Sequence, residues 1–280
     1  MSITQSVTSR RDVTRSSVPR PRRLPPAALT VALLPAIVAV WWVATNSGAV
    51  PSILLPTPQQ VVESVPRVVL ADGFGAQAGR TVLEIVGGFA LGASVGFLLG
   101  VLLSASDRLR AAYLPFLSAL EAIPTVILAP IIIASVGFGV EGKILQAAIA
   151  CFYAVFITTL SGLGLAEPNA VNLMRSLRAT RWQTMVKLRI PTALPVIFGG
   201  LQLGATTAII GAIVSEFIGA TGGLGYLMLR YRSGFDTAAY WVIIFIFLVI
   251  GLAAYLIVRT VERRVVFWRD SAITRPDLES

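Results

Sequence analysis

Few side chains in this sequence could carry chemistry, and that scarcity is informative. Histidine is absent, which removes the commonest general base, the commonest metal ligand and any serine–histidine triad. The single cysteine, Cys151, lies in an apolar stretch and can form neither a disulfide nor a cysteine-based metal site within one chain. No catalytic residue and no metal site are expected. The run Gly137-Phe138-Gly139-Val140-Glu141-Gly142-Lys143 imitates a phosphate-binding loop over its first seven positions. The eighth must be serine or threonine to ligate magnesium, and here it is Ile144. No nucleotide site and no other cofactor are therefore expected in this chain.

Two carboxylates lie within or at the ends of long apolar runs. Glu121 precedes Pro124, and Glu216 precedes the glycine-rich stretch Gly219, Gly222, Gly223 and Gly225. A charge inside a bilayer is costly enough that it usually faces a bundle interior or a cavity. Glu121, Pro124, Glu216, Gly222, Gly223 and Gly225 are thus the candidates for a pore or gate. For Glu216 the competing reading is an interfacial carboxylate paired with Arg230 or Arg232.

The elements that must position these groups follow from composition. The chain has 280 residues, 55% hydrophobic and 13% charged, with a mean hydropathy of +0.79. A soluble domain keeps roughly a quarter of its residues charged. The apolar residues are also gathered into runs near the roughly 20 residues that cross a bilayer. An all-α polytopic membrane protein of about six spans is expected, at 29–44, 82–105, 115–136, 144–165, 196–219 and 241–260. The first span contains Pro35 and follows basic residues, as the apolar core of a signal peptide does. The long preceding region, with Trp41 and Trp42 at an interfacial position, favours a retained anchor.

The net charge of +9 does not imply nucleic acid, because the basic residues sit in short segments between apolar runs. Arginines crowd the N-terminal tail, the connections after the second and fourth spans, and the C-terminal tail, which places both termini in the cytoplasm. On the outer side, Thr57 and Pro58 form a helix-start signal. Val61, Val65, Val68 and Val69 then fall on one face at helical spacing, predicting a short helix on the outer membrane surface. In the second span Gly88, Gly92, Gly96 and Gly100 recur every four residues, and Gly200, Gly204 and Gly211 mark the fifth. Small residues so spaced let helices pack closely, here within one bundle in the simplest reading. Pro124 and Pro130 should bend the third span.

The connection after the fourth span, residues 172–191, holds more than a turn requires. Leu173, Met174 and Leu177 share one helical face. After a break near Thr180, Trp182, Met185, Val186 and Leu188 form a second apolar cluster. Two short amphipathic helices between basic flanks imply a partner surface.

This segment resembles the EAA loop of binding-protein-dependent ABC importer permeases, a pattern of Glu-Ala-Ala, three residues, Gly, nine residues, Ile, one residue and Leu-Pro. Asn172, Leu173 and Met174 stand at Glu-Ala-Ala, Arg178 at Gly, Leu188 at Ile, and Ile190 with Pro191 at Leu-Pro. The spacing is kept; the acidic residue and the glycine are replaced, which leaves open how the loop turns. Arg175-Ser176-Leu177, Ala179-Thr180-Arg181-Trp182 and the run from Ile190 to Pro195 resemble the nitrate, sulfonate and taurine branch. So do Leu55-Pro56-Thr57-Pro58, the stretch from Ala122 to Gly139, and Glu216 with Gly222-Gly223-Leu224-Gly225-Tyr226.

The resemblance implies a type I importer permease fold in a bacterial inner membrane. It implies two permease copies (a homodimer is expected), cytoplasmic ABC ATPase subunits that bind the ATP, and an extracytoplasmic solute-binding protein. Asn172, Leu173, Met174, Arg175, Leu177, Arg178, Arg181, Trp182, Met185 and Pro191 would form the ATPase-coupling loop. The solute would be a small anion, such as an aliphatic sulfonate, taurine or nitrate. Residues 1–25 would be a basic disordered tail, 26–265 the permease domain in contact with lipid, and 266–280 a cytoplasmic tail. The rival reading is an ATP-independent secondary transporter of a small organic anion. It would need internal hydropathy repeats and midplane polar groups, and neither is evident.

Overall fold

The computed structural model describes residues 26–268, except 49, 107, 109–111, 114, 117, 118, 120, 121 and 220. Glu121, the basic tail 1–25 and the C-terminal residues from 269 lie outside this set. The described chain is helical: α1 (Pro26–Asn46), α2 (Pro58–Val69), α3 (Phe74–Ser104), α4 (Thr125–Val136), α5 (Val140–Leu163), α6 (Pro168–Ser176), α7 (Arg181–Gly219), α8 (Leu224–Ser233) and α9 (Thr237–Val265). Among the described residues α3, α5, α7 and α9 are long and apolar enough to cross a membrane, and α4 and the described part of α1 are shorter apolar helices. Together they approach the six spans expected.

The core is a sandwich of three helices with α5 in the middle, because glycines face it from both sides. A Cβ on Gly88 would meet Ala147. On Gly92 it would meet the backbone of Ala148, on Gly96 that of Phe152 and Phe156, and on Gly100 the side chain of Thr159. From the other side Gly200 abuts Thr158, Gly204 abuts Cys151 and Val155, and Gly211 abuts Ala147 and Ala150. The glycine stripes therefore serve packing inside one chain, where close backbone approach maximises dispersion contact between helices in lipid. Cys151, fully buried at this seam, fills space.

α2 forms as its sequence predicts. Thr57 accepts from the Gln60 backbone while the Gln60 side chain accepts from the Thr57 N–H, a capping box with Pro58 in the first turn. Its buried face is Val61, Ser64 and Val68, whereas Val65 and Val69 are exposed. That face packs with Ala239, Val242 and Ile243 of α9. Arg67 and Asp236 fasten the contact with a forked pair of hydrogen bonds. The guanidinium holds the Asp236 carboxyl below the ordinary aspartate range. α1 meets this end of the bundle through Trp41, which stacks on Trp241 and Phe245 and donates its indole N–H to the Pro56 carbonyl at 3.0 Å.

Three elements differ from the sequence expectation. Pro124 does not bend a continuous third span but stands at the N-cap of the 12-residue α4, a helix end where proline is tolerated, while Pro130 lies inside α4. The fifth span begins at Arg181, 15 residues before the predicted 196. The expected second amphipathic helix is the first part of α7, joined through a π turn at Met185–Arg189. The widened turn, closed by Ile190 N–H to Met185 C=O, directly precedes Pro191, whose ring would clash with a carbonyl in a regular α-helix.

Candidate functional site

The loop end of the bundle is built by two local signals. α6 stops in a left-handed cap: Arg178 has φ 57°, its N–H donates to Arg175 C=O, and Ala179 N–H donates to Met174 C=O. That pair of bonds is a Schellman motif, usually made with glycine at the left-handed position. Arg178 therefore takes the left-handed position of the cap, where the motif has glycine. Two residues later Thr180 caps α7. Its hydroxyl accepts from Gln183 N–H, and the Gln183 side chain accepts from Thr180 N–H at 2.8 Å.

This turn exposes Leu173 (61%), Leu177 (70%) and Trp182 (71%). Asn172, Arg175, Arg178 and Arg181 are exposed with them, and Met174 and Pro191 are half-buried. Met185 is the correction. It is 7% exposed and packs with Leu163, Ala193 and Ile197, so it does not share the exposed face of Trp182. Since a left-handed arginine costs about 1–2 kcal/mol relative to glycine, Arg178→Gly is expected to stabilise the purified protein slightly. Arg178→Val is expected to loosen the loop. Limited proteolysis between 172 and 184 checks both.

The opposite end holds a buried polar network. Glu216 is 1% exposed and Glu84 and Thr81 are fully buried. One Glu216 oxygen accepts from the Thr81 hydroxyl at 2.6 Å, and the other accepts from Gly225 N–H. Thr81 in turn accepts from Leu224 N–H at 2.7 Å, and Gln77 accepts from Gly223 N–H. Lys143, 2% exposed, donates to Glu84 at 3.0 Å and to Gly222 C=O at 3.1 Å, and Glu84 also faces Glu216.

The glycine stretch after Glu216 is thus a turn pinned to α3 and α5. Gly223, at φ 116°, has a conformation that a side chain would strain, and a Cβ there would strike the Glu216 carboxyl. Glu216 does not take Arg230 or Arg232, which stand exposed in the last turn of α8. Pro124 is exposed and outside the network.

Two of the residues that build this site were not candidates from sequence. Glu84 lies inside the second span, where a lone carboxylate is itself a signal. Lys143, which in the sequence ends the run that imitates a phosphate-binding loop, is the buried counter-ion of Glu84. Gly137, Phe138 and Gly139 form the turn between α4 and α5, with Gly137 at φ 109°, and residues 140–143 are the first turn of α5.

The described residues form a helical membrane bundle with a two-part loop at one end and a pinned polar turn at the other. The chain matches the family described as "Binding-protein-dependent transport system inner membrane component" over residues 88–267, and it belongs to that family. It is 32% identical over 240 residues to the putative aliphatic sulfonates transport permease protein SsuC of Bacillus subtilis, covering 85% of this chain and 87% of that one. It is 32% identical over 264 residues to the riboflavin transport system permease protein RibX of Chloroflexus aurantiacus, covering 92% and 98%. An inward-facing structure of the MetNI methionine ABC transporter shares the fold, with a TM-score of 0.60 at 19% identity over 75% of this chain and 98% of that one.

Proposed function

We propose that this permease forms the pore of an importer for a small organic anion, driven by a separate ATPase that docks on residues 172–191. An aliphatic sulfonate is the favoured solute, supported by the Bacillus relative and by the motifs of the nitrate, sulfonate and taurine branch. The permease is an integral inner-membrane protein. It works as one of two copies, with a solute-binding protein outside and both termini in the cytoplasm, an orientation supported by the arginine-rich tails.

The observation that carries this reading is the exposed loop face. Leu173, Leu177 and Trp182 stand out on a backbone turn fixed by a Schellman cap and a capping box. Surface this apolar on rigid supports needs a partner. α7 then gives the partner leverage. Its 39 residues, at about 1.5 Å rise each, make one helix roughly 58 Å long from the loop to Glu216. A push on the loop tilts the element that carries the polar turn. The permease supplies no catalytic group for this, only an element with two arrangements that its partner biases.

The test is purification of a tagged permease from its native host in mild detergent, with co-purifying proteins identified by mass spectrometry. A soluble ATPase is expected with the wild type and lost from Leu177→Asp and Trp182→Asp, two exposed positions where the fold tolerates a charge. An ATPase retained by both variants would place docking elsewhere. Met185→Asp is unsuitable, since it would put a carboxylate in the core.

A further inference from the structure

Between the loop and the end of α3 lies a recess of about 940 Å³. Four arginines from separate elements line it: Arg108 beyond α3, Arg175 in the last turn of α6, Arg181 in the first turn of α7, and Arg189 in the π turn. Among the described residues its wall contains no carboxylate. Arg189 is held by donation to the Ser104 carbonyl. Arg181 opposes the dipole of its own helix, whose N-terminus already favours negative charge. Four guanidinium groups around one hollow make it a favourable place for an anion.

We propose that this recess binds a phosphate-type anion, presented by the headgroup of an acidic membrane lipid. The planar forks of arginine suit phosphate oxygens, which accept two parallel hydrogen bonds from each. The rest of the wall points to a lipid source over a free ion. Val101, Leu102, Ala105 and Val171 make it apolar on one side. Leu102, 61% exposed, continues an apolar flank of α3 through Leu98, 63% exposed. An acyl chain lies along that flank while its headgroup enters among the arginines, with Trp182 at the recess as an interfacial aromatic. Basic pockets between helices hold anionic headgroups in this way.

The site is separable from ATPase docking. Arg108 lies outside residues 172–191 and belongs to the recess alone, and Leu173, Leu177 and Arg178 of the docking face are outside its wall, whereas Arg175, Arg181, Trp182 and Arg189 are shared. A bound lipid braces α6, α7 and the end of α3 as one unit, so lipid composition would tune the stiffness of the loop.

The full-length permease, delipidated in detergent, is titrated with phosphatidylglycerol, phosphatidylcholine or inorganic phosphate. Bound ligand is read by native mass spectrometry and thermal shift, for the wild type, Arg108→Gln and the double variant Arg108→Gln/Arg189→Gln. Arg108 is exposed, so its replacement leaves the fold intact and keeps the test valid if the double variant unfolds.

Phosphatidylglycerol is expected to bind and raise the melting temperature, with affinity falling about tenfold for each arginine removed. Phosphatidylcholine is expected to bind weakly and without dependence on arginine. Inorganic phosphate competing at similar concentration, with the same arginine dependence, would support the anion site while assigning it to a free ion. Phosphatidylglycerol binding unchanged in both variants would overturn the proposal. So would loss of the ATPase from the variants without any change in anion affinity, which would make the recess a protein-docking surface.

Discussion

Lys143→Met is expected to destabilise the permease by about 3–5 kcal/mol, as when one partner of a buried ion pair is removed. The cost arises from what remains. Lys143 is the cation that the structure places beside Glu84, and Glu216 faces the same pair. Without the ammonium, two carboxyl groups share a dry site, and the Gly222 carbonyl loses its donor. Water cannot reach any of these groups readily, since Glu84 is fully buried and Glu216 is 1% exposed, so the full desolvation cost falls on them.

The expected pattern across variants separates charge from shape. Glu84→Gln keeps the volume and most hydrogen bonding and should cost less than Lys143→Met. The double variant Glu84→Gln/Lys143→Met removes the ion pair entirely and should recover part of the loss, because a pair replaced together is often nearly neutral. Thermal unfolding of the four proteins in the same detergent measures the coupling. If the double variant were as damaged as the sum of the singles, the ion pair would carry no specific coupling. The network would then matter only through packing.

Part of this architecture was legible in the sequence and part was not. The spans were legible because a bilayer demands long apolar runs, and the loop was legible because its spacing survives the loss of the motif's glycine. What could not be read from identities was that Arg178 would itself adopt the left-handed turn, since tertiary support can outweigh a cost of about 1–2 kcal/mol. Met185 was misplaced for a different reason. Residues three apart on a helix are offset by about 60°, enough for Trp182 to face outward while Met185 turns into the bundle. Glu84 and Lys143 are 59 residues apart, and no local pattern ties them. Lys143 stood in a glycine-rich run that reads as a turn, whereas it is in the first turn of α5 and wholly enclosed.

Gly92→Ala is expected to be among the most damaging single-methyl additions in the molecule, although alanine is the better helix former. The reason is that its Cβ would be driven into the Ala148 carbonyl and lie 3.0 Å from the Ala148 Cα. Those are backbone atoms in the middle of α5 and cannot rotate away, so the two helices must separate. Overpacking of this kind costs about 1–3 kcal/mol. Gly100→Ala should be somewhat milder, because its new methyl meets Thr159 Cβ and Cγ2 at 2.8 Å and the Phe156 carbonyl at 3.2 Å, contacts less severe than the one at Gly92, although only Cγ2 can move away by a rotamer change. Gly79→Ala, in the same helix with nothing within 4 Å, should be neutral or stabilising by up to about 1 kcal/mol.

Gly88 adds a functional arm to the series. It lies one turn from Glu84, and its Cβ would meet the Cβ of Ala147, one turn from Lys143. A methyl there should displace the ion pair as well as the seam. Its effect should shrink when Lys143→Met and Glu84→Gln are already present, whereas the effect of Gly92→Ala should not. Melting temperatures for these alanine variants, in both backgrounds, test the order. An equal loss at all four glycines would mean that the α3–α5 seam yields as a whole and that close approach at Gly92 is not what fixes it.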